Sequence, residues 1–349
     1  MSGRKLILLA GTFVGTGVAV VLIILWPFGS DSPSAPPAVW HPPDSAPLAE
    51  RSLAESPLRQ GAQAAASPAQ AGGPADRASS PPTPPPERCQ PAPGPDLLTE
   101  TQIISYYGNP YTADMGILGE LPPETLVKTL KEHAQLYDSL NGPRGVQAAL
   151  HLVYATAQSH PGREGLYLLY VDEETLWEYI QLACEDDLLV FLDLQIGRSD
   201  VESEITKILP YLEQPHVHVA LDPEFAMSQG EVPGESIGSL DAADVNAAQT
   251  FLQSALGGLE AGDLPDKILI VHQFTGNMLT NSELIRDVPR VKLVVDMDGF
   301  GPSEIKRVKY GWYAAPAEHS GIKLFFRQDV DLMSEQEVLE LNPDVIIYQ

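Results

Sequence analysis

From Thr101 onward the sequence repeats one theme eight times: a short, nearly continuous apolar run, then a loop, then in most cases an amphipathic stretch. The runs are residues 103–107, 148–154, 188–194, 217–222, 268–274, 291–296, 322–326 and 345–348. A strand whose apolar residues do not alternate with polar ones must be buried on both faces, and parallel sheets covered by helices bury both. Helical patterns at 122–137, 173–184 and 239–256 lie between the runs. Ser199 with Glu202, and Ser334 with Glu337, have capping-box spacing where a loop should hand over to a helix. Eight strands alternating with seven helical stretches predict a closed α/β fold, a (β/α)8 barrel of the TIM type, for which ~250 residues is the usual length. An open doubly wound sheet would carry a Gly-rich phosphate loop after its first strand, and none is present. With no helix expected beyond the eighth run, the seam there is expected to be covered by a loop or by residues 97–99. Residues 165–171 read as an accessory strand.

The chain ahead of the barrel has a different character. Residues 6–28 are uncharged and mostly apolar, and at ~1.5 Å per residue such a helix spans a bilayer core of ~30 Å. Arg4 and Lys5 flank its N-terminal side, and the next basic residue is Arg51. The positive-inside rule then places the N-terminus in the cytoplasm and the remainder outside. A cleaved signal peptide is the competing reading, but its apolar core is normally shorter, and this run ends in Leu-Trp-Pro-Phe instead of a small-residue cleavage site. Residues 29–98 hold 17 of the 32 prolines and too few large apolar groups to offset the entropy of ordering. The expected organisation is an anchor over 1–28, a disordered stalk over 29–98 and a barrel over 99–349.

Charge narrows the partners. From Thr99 onward 15 basic residues face 40 acidic ones, so nearly all of the net charge of −26 falls on the barrel. Such a surface repels phosphate backbones, which excludes nucleic acid as a partner and favours neutral or cationic material. The two cysteines form no metal motif. Cys184 lies in an apolar helical pattern and reads as a small buried hydrophobe; a bridge to Cys89 requires a geometry that sequence does not supply. Oligomeric state is not encoded in any pattern present.

In a barrel of this type the chemistry sits at the carboxyl ends of the strands. The residues there are, in order, Tyr106 and Tyr107; His151 and Tyr154; Asp193 and Gln195; Asp222 and Glu224; His272 and Gln273; Asp296 and Asp298; Arg327, Gln328 and Asp329; Tyr348 and Gln349. Residues two apart on a strand share a face, so Asp193 and Gln195, Asp222 and Glu224, and Asp296 and Asp298 point together in pairs. Crowded carboxylates raise one another's pKa, which keeps one protonated as a general acid while another stays ionised. Two reaction classes use such a set. In glycoside hydrolysis Glu224 is the proton donor, Asp222 orients it or stabilises positive charge, and Asp193, Asp296 and His272 assist. In metal-assisted hydrolysis Asp193, Asp222, Glu224 and Asp296 supply oxygen ligands and His272 a nitrogen ligand. Tyr106, Tyr107, Gln195, Arg198, Gln273, Asp298, Gln328 and Asp329 are the candidate substrate contacts, with Tyr111, Trp312 and Tyr313 as further stacking surfaces. Arg198 after strand three offers a guanidinium beside a helix start, where a plain turn is the competing reading. His216 and His218 begin strand four, at the wrong end for the chemistry, and read as structural.

The segments Ser105-Tyr-Tyr-Gly-Asn-Pro-Tyr111, Phe191-Leu-Asp-Leu-Gln-Ile-Gly-Arg198, Leu221-Asp-Pro-Glu-Phe225, Val271-His-Gln-Phe274, Asp296-Met-Asp-Gly-Phe-Gly301 and Pro343-Asp-Val-Ile-Ile-Tyr-Gln349 resemble an uncharacterised group of exported bacterial barrel proteins, a likeness that brings a fold but no activity. Asp222-Pro-Glu224 at the end of strand four is similar to the Asp-x-Glu of chitinase-type (family 18) glycosidases. That resemblance implies Glu224 as the acid and Asp222 as the residue that positions an acetamido group, although Ala220 stands where that family carries a further Asp. The expectation is a membrane-anchored extracytoplasmic enzyme of glycoside-hydrolase type acting on a glycan, with neither cofactor nor metal. A non-catalytic envelope protein that binds glycan or protein is the first alternative, and a metal-dependent hydrolase the second.

Overall fold

The computed structural model describes residue 89 and residues 97–258 and 264–349. Eight strands form the barrel: β1 Thr101–Gly108, β2 Gly145–Ala157, β3 Leu189–Gly197, β4 Val217–Ala226, β5 Lys267–Gln273, β6 Val291–Met297, β7 His319–Leu324 and β8 Val345–Tyr348. Each pairs in parallel with the next, and β8 pairs with β1 to close the ring. Every expected run coincides with one of these strands apart from its ends. The accessory strand also forms, as Leu168–Tyr170 antiparallel to β2.

Burial on both faces explains the unbroken apolar runs. Alternate residues such as Ile103, Ala149, Phe191, Ala220, Ile270 and Ile347 make one buried cluster inside the ring. Their neighbours Ile104, Leu150, Leu192, Val219 and Leu269 join the larger layer shared with the helices. Leu98 belongs to the inner cluster, so the turn of helix at Leu97–Glu100 plugs the amino-terminal end of the ring instead of covering its seam. Arg144 fixes that plug, donating to Leu98 O at 2.7 Å and to Asp344 Oδ1 at 2.6 Å.

The helices of the outer layer are α1 Pro123–Leu140, α2 Glu173–Glu185, α3 Val201–Leu212, α4 Ala242–Gly258, α5 Ser303–Tyr313 and α6 Glu335–Leu339. The seam at β8 lies under α1 and α6: the Tyr137 and Tyr348 hydroxyls meet at 2.7 Å, and His133 Nε2 stands 3.4 Å from Glu335. The Ser334 capping box forms. At α3, however, Asp200 and not Ser199 is the cap, accepting from Ser203 N at 2.8 Å.

Among the described residues an outer-layer helix is present in six of the seven connections, and the connection from β1 to β2 also holds the short helix Ile117–Glu120. Between β5 and β6 the chain makes no α-helix, but a two-residue strand, Leu279–Thr280, paired with Leu240–Asp241, and a 3-10 turn, Ser282–Leu284, entered through Asn281 in the left-handed conformation. Residues 274–290 carry Gly276, Asn277, Asn281 and Pro289, a composition of turns with no 3.6-residue apolar period. The outer face of β6 is therefore left as a groove of ≈ 810 Å³, lined among others by Gln249, Gln273, Leu293, Trp312 and Tyr313.

Cys89 and Cys184 form a disulfide with Cα atoms 5.6 Å apart, which replaces the reading of Cys184 as a packed thiol. Cys89 N also donates to Gln214 Oε1 at 3.0 Å. The bridge spans 95 residues, a long loop whose closure entropy is removed from the unfolded chain. Cys184→Ser is expected to lower unfolding stability by about 2–5 kcal/mol, read as a lower urea midpoint; an unchanged midpoint would mean that the bridge does not constrain the unfolded state. The expected anchor and nearly all of the expected stalk lie outside the described residues. Among the described residues no helix is long and apolar enough to cross a membrane.

Candidate active site at the carboxyl ends of the strands

Above the inner apolar cluster, continuing the same inward alternation, the strands present Tyr107 (β1), His151 (β2), Asp193 and Gln195 (β3), Asp222 and Glu224 (β4), His272 (β5), Asp296 and then Asp298 (β6 and just beyond it), and Lys323 (β7). Parallel register sets them in one ring: Gln195 lies opposite Asp222, and His272 opposite Asp296. His272 occupies the centre. Its Nδ1 is 2.9 Å from Asp296 Oδ2 and 3.5 Å from Asp298 Oδ2, while its Nε2 is 3.2 Å from Asp193 Oδ2. His151 Nε2 approaches the same Asp193 oxygen at 3.4 Å. Lys323 Nζ pairs with Asp298 Oδ2 at 3.1 Å and lies 3.5 Å over the centre of the Tyr107 ring, a desolvated cation–π contact.

The members of the ring titrate apart. Burial opposes the charge of Asp193, but His272 and His151 outweigh it and hold this carboxyl well below the usual range. Burial lowers His151 to about 4 despite Asp193, so its imidazole is neutral at pH 7. Burial also acts to lower His272, yet Asp193, Asp296 and Asp298 push it well above the ordinary value. Asp222 rises well above the carboxylate range through burial, then through Glu224 and Asp193. Its Oδ1 accepts from the Glu224 backbone N–H at 3.1 Å, which fits the role of orienting Glu224. Lys323 stays charged because Asp298, Asp222 and Asp193 overcome its burial.

Glu224 differs from the others in access. The pairing of β3 with β4 shifts between Gln195 and Gly197, so residues 223–225 bulge out of the ladder. Such bulges re-aim side chains beside functional sites. Glu224 is partly open while Asp222 beneath it is buried. Burial and then Asp298 raise the Glu224 carboxyl to about 7 against the pull of Lys323 and His272.

Several expected contacts lie elsewhere. Tyr106 faces outward, opposite to its inward neighbour Tyr107, and bonds His133 Nδ1 at 3.2 Å in the helix layer. Gln273 likewise faces outward and lines the groove beside β6, together with Trp312 and Tyr313. Arg198 donates twice to Glu231 O, at 2.9 and 2.6 Å, and lies over the Tyr167 ring, so its guanidinium fastens two loops. Gln195 is inward but engaged, accepting from Ala157 N at 2.7 Å. Gln328 is exposed beyond the strand end, and Arg327 pairs outward with Glu120. Asp329 is held by Lys306 at 2.9 Å. Tyr111, exposed on the mouth side after β1, donates to Asp172. As expected, His216 and His218 are structural: His216 Nε2 meets Ile180 O at 3.1 Å, and His218 Nδ1 accepts from Ile268 N at 3.2 Å.

Sequence reasoning placed His151 at a strand end without giving it a role and passed over Lys323. The available signal was parity: each is a polar residue inside an apolar run, at an inward position. Gly321 carries a related signal, since an interior strand glycine marks a close approach. A Cβ there would stand 2.8 Å from Asp296 Oδ1. Gly321→Ala is expected to displace Asp296 from His272 and to destabilise by about 1–3 kcal/mol, measured by thermal unfolding and the NMR titration of His272; unaltered titration would show that Asp296 tolerates the methyl group.

No family model matches the chain, and no curated protein does. Solved structures that match include oxaloacetate acetylhydrolase, at 10% identity and a TM-score of 0.29 over 72% of this chain and 71% of that one. The 7,8-dihydropteroate synthase from Vibrio fischeri ES114 matches at 12% identity and a TM-score of 0.29, over 72% of this chain and 88% of that one. The barrel itself rests on the closed strand pairing.

Proposed function

We propose that the barrel is a hydrolase of glycoside-hydrolase type that works by carboxylate acid/base chemistry, with Glu224 as the proton donor. The observation that carries this reading is Glu224 itself, a partly open glutamate at the mouth with its pKa raised to about 7. An acid poised near the working pH is what protonation of a leaving oxygen requires. Asp222 orients Glu224 from below, and Lys323 with Asp298 sets the field around it. A glycan is favoured as substrate because the acidic domain repels polyanions and because Tyr111 offers an exposed ring on the mouth side. The proposed location is outside the cytoplasmic membrane, on the anchor of residues 6–28; the Cys89–Cys184 bridge supports an oxidising compartment.

The test is hydrolysis of a panel of envelope and extracellular glycans by the full chain across pH. Turnover is expected to fall as pH rises through about 7, where Glu224 loses its proton. A glycan bound but never cleaved, with equal affinity in wild type and Glu224→Gln, would replace the enzyme with a binding protein.

A further inference from the structure

Beneath Glu224 the ring contains a group of atoms that acid/base chemistry leaves unexplained. His151, Asp193 and His272 all have zero exposure, out of reach of a polymer. The two Nε2 atoms stand 3.4 and 3.2 Å from one Asp193 oxygen. Neither contact has hydrogen-bond geometry: both nitrogens of His151, both oxygens of Asp193 and Nε2 of His272 are buried without a hydrogen-bond partner. Buried polar atoms are almost always satisfied, so a concentration of orphans in one place calls for an occupant.

The orientation of the rings indicates which occupant. His272 Nδ1 donates to Asp296 Oδ2 at 2.9 Å, which aims the other ring nitrogen at Asp193. A histidine held from behind by a carboxylate and facing a second acid with its other nitrogen has the arrangement of a metal ligand with its orienting partner, the ion taking the place of the proton on that nitrogen. Distances agree. Bonds of about 2.0–2.2 Å around a tetrahedral ion separate its ligand atoms by about 3.3–3.6 Å, close to the 3.2 and 3.4 Å found here, and one atom from each of the three residues falls within 4.8 Å of the others. His272, Asp296 and Asp298 form a second such group, but its nitrogen is already committed to Asp296.

We infer that His151, Asp193 and His272 form a three-ligand site for a divalent first-row transition ion, with Zn2+ as the best fit. Two imidazoles and one carboxylate suit such an ion and disfavour Ca2+ or Mg2+, which take oxygen ligands. The set differs from the carboxylate-rich one expected from sequence, since Asp222, Glu224 and Asp296 are not ligands. Binding of the ion does not depend on the hydrolase reading.

The test is calorimetric titration of the chelator-stripped full chain with Zn2+. About one ion per chain is expected. His151→Ala and Asp193→Asn should each weaken binding at least about 100-fold, and Asp296→Ala, which removes only the orienting acceptor, about 10–100-fold. Glu224→Gln should bind Zn2+ as wild type does, so a protein that binds Zn2+ but cleaves no glycan sinks the hydrolase reading alone. Absence of uptake by wild type, or uptake unchanged in His151→Ala and Asp193→Asn, overturns the site. Should those variants fail to fold, the visible ligand-field spectrum of Co2+-loaded wild type decides: nitrogen-ligated four-coordinate Co2+ supports the site, and an all-oxygen octahedral spectrum overturns it.

Discussion

Glu224→Gln should leave a folded, stable barrel whose turnover has fallen by about 10²–10⁴-fold, the usual contribution of a positioned general acid. Glutamine keeps the shape and the backbone bond to Asp222 but has no proton to give. The pH dependence of stability gives an independent check. Glu224 rises from 4.5 to about 7 on folding, so between those values the folded state holds more protons than the unfolded one. Its contribution to stability is then fully present below about 4.5, declines as pH rises, and is flat above about 7. The variant should lack that decline in a urea series. A wild-type-like pH slope together with wild-type turnover would remove Glu224 from the mechanism.

Asp329→Ala is expected to lower stability by about 3–5 kcal/mol, because it leaves the buried ammonium of Lys306 without its counter-charge. At about 2–4 °C per kcal/mol for a domain of this size, the melting temperature should fall by roughly 6–20 °C. Lys306 is 1% exposed and also donates to Gly299 O at 2.9 Å and Lys323 O at 2.7 Å. Asp329 accepts from Gly301 N at 2.9 Å and Phe325 N at 3.0 Å. The pair therefore ties the loop after β6 to the loop after β7. Replacing both partners with apolar residues, Lys306→Met with Asp329→Leu, should recover much of the loss. A small thermal shift combined with lost turnover would return Asp329 to the substrate contacts expected from sequence.

How far the sequence could be read depended on the kind of information each feature carries. The eight strands were legible because burial on both faces leaves an unbroken apolar run, which is local. The inward pairing of Asp193 with Gln195 followed from two-residue alternation, whereas the aim of Glu224 above Asp222 depends on the bulge over residues 223–225, which alternation does not predict. The same rule, applied to Tyr106 and Gln273, assigns them outward; they were misplaced by judging proximity to a strand end without parity. The missing helix between β5 and β6 was also readable, from the turn residues at 274–290.

Sequence by itself determined the barrel, the acidity of its surface and the strand ends on which polar groups stand. Only tertiary structure decided which of those groups meet. His151, Asp193 and His272 come from three strands, and their convergence depends on ring closure and register, quantities that no single segment encodes. The same holds for the charges: His272 and His151 on other strands hold the Asp193 carboxyl low, while burial, then Glu224 on its own strand and Asp193 on the next, raise that of Asp222. The Lys306–Asp329 pair and the Cys89–Cys184 bridge likewise join residues far apart in the chain, which folding alone brings within bonding distance.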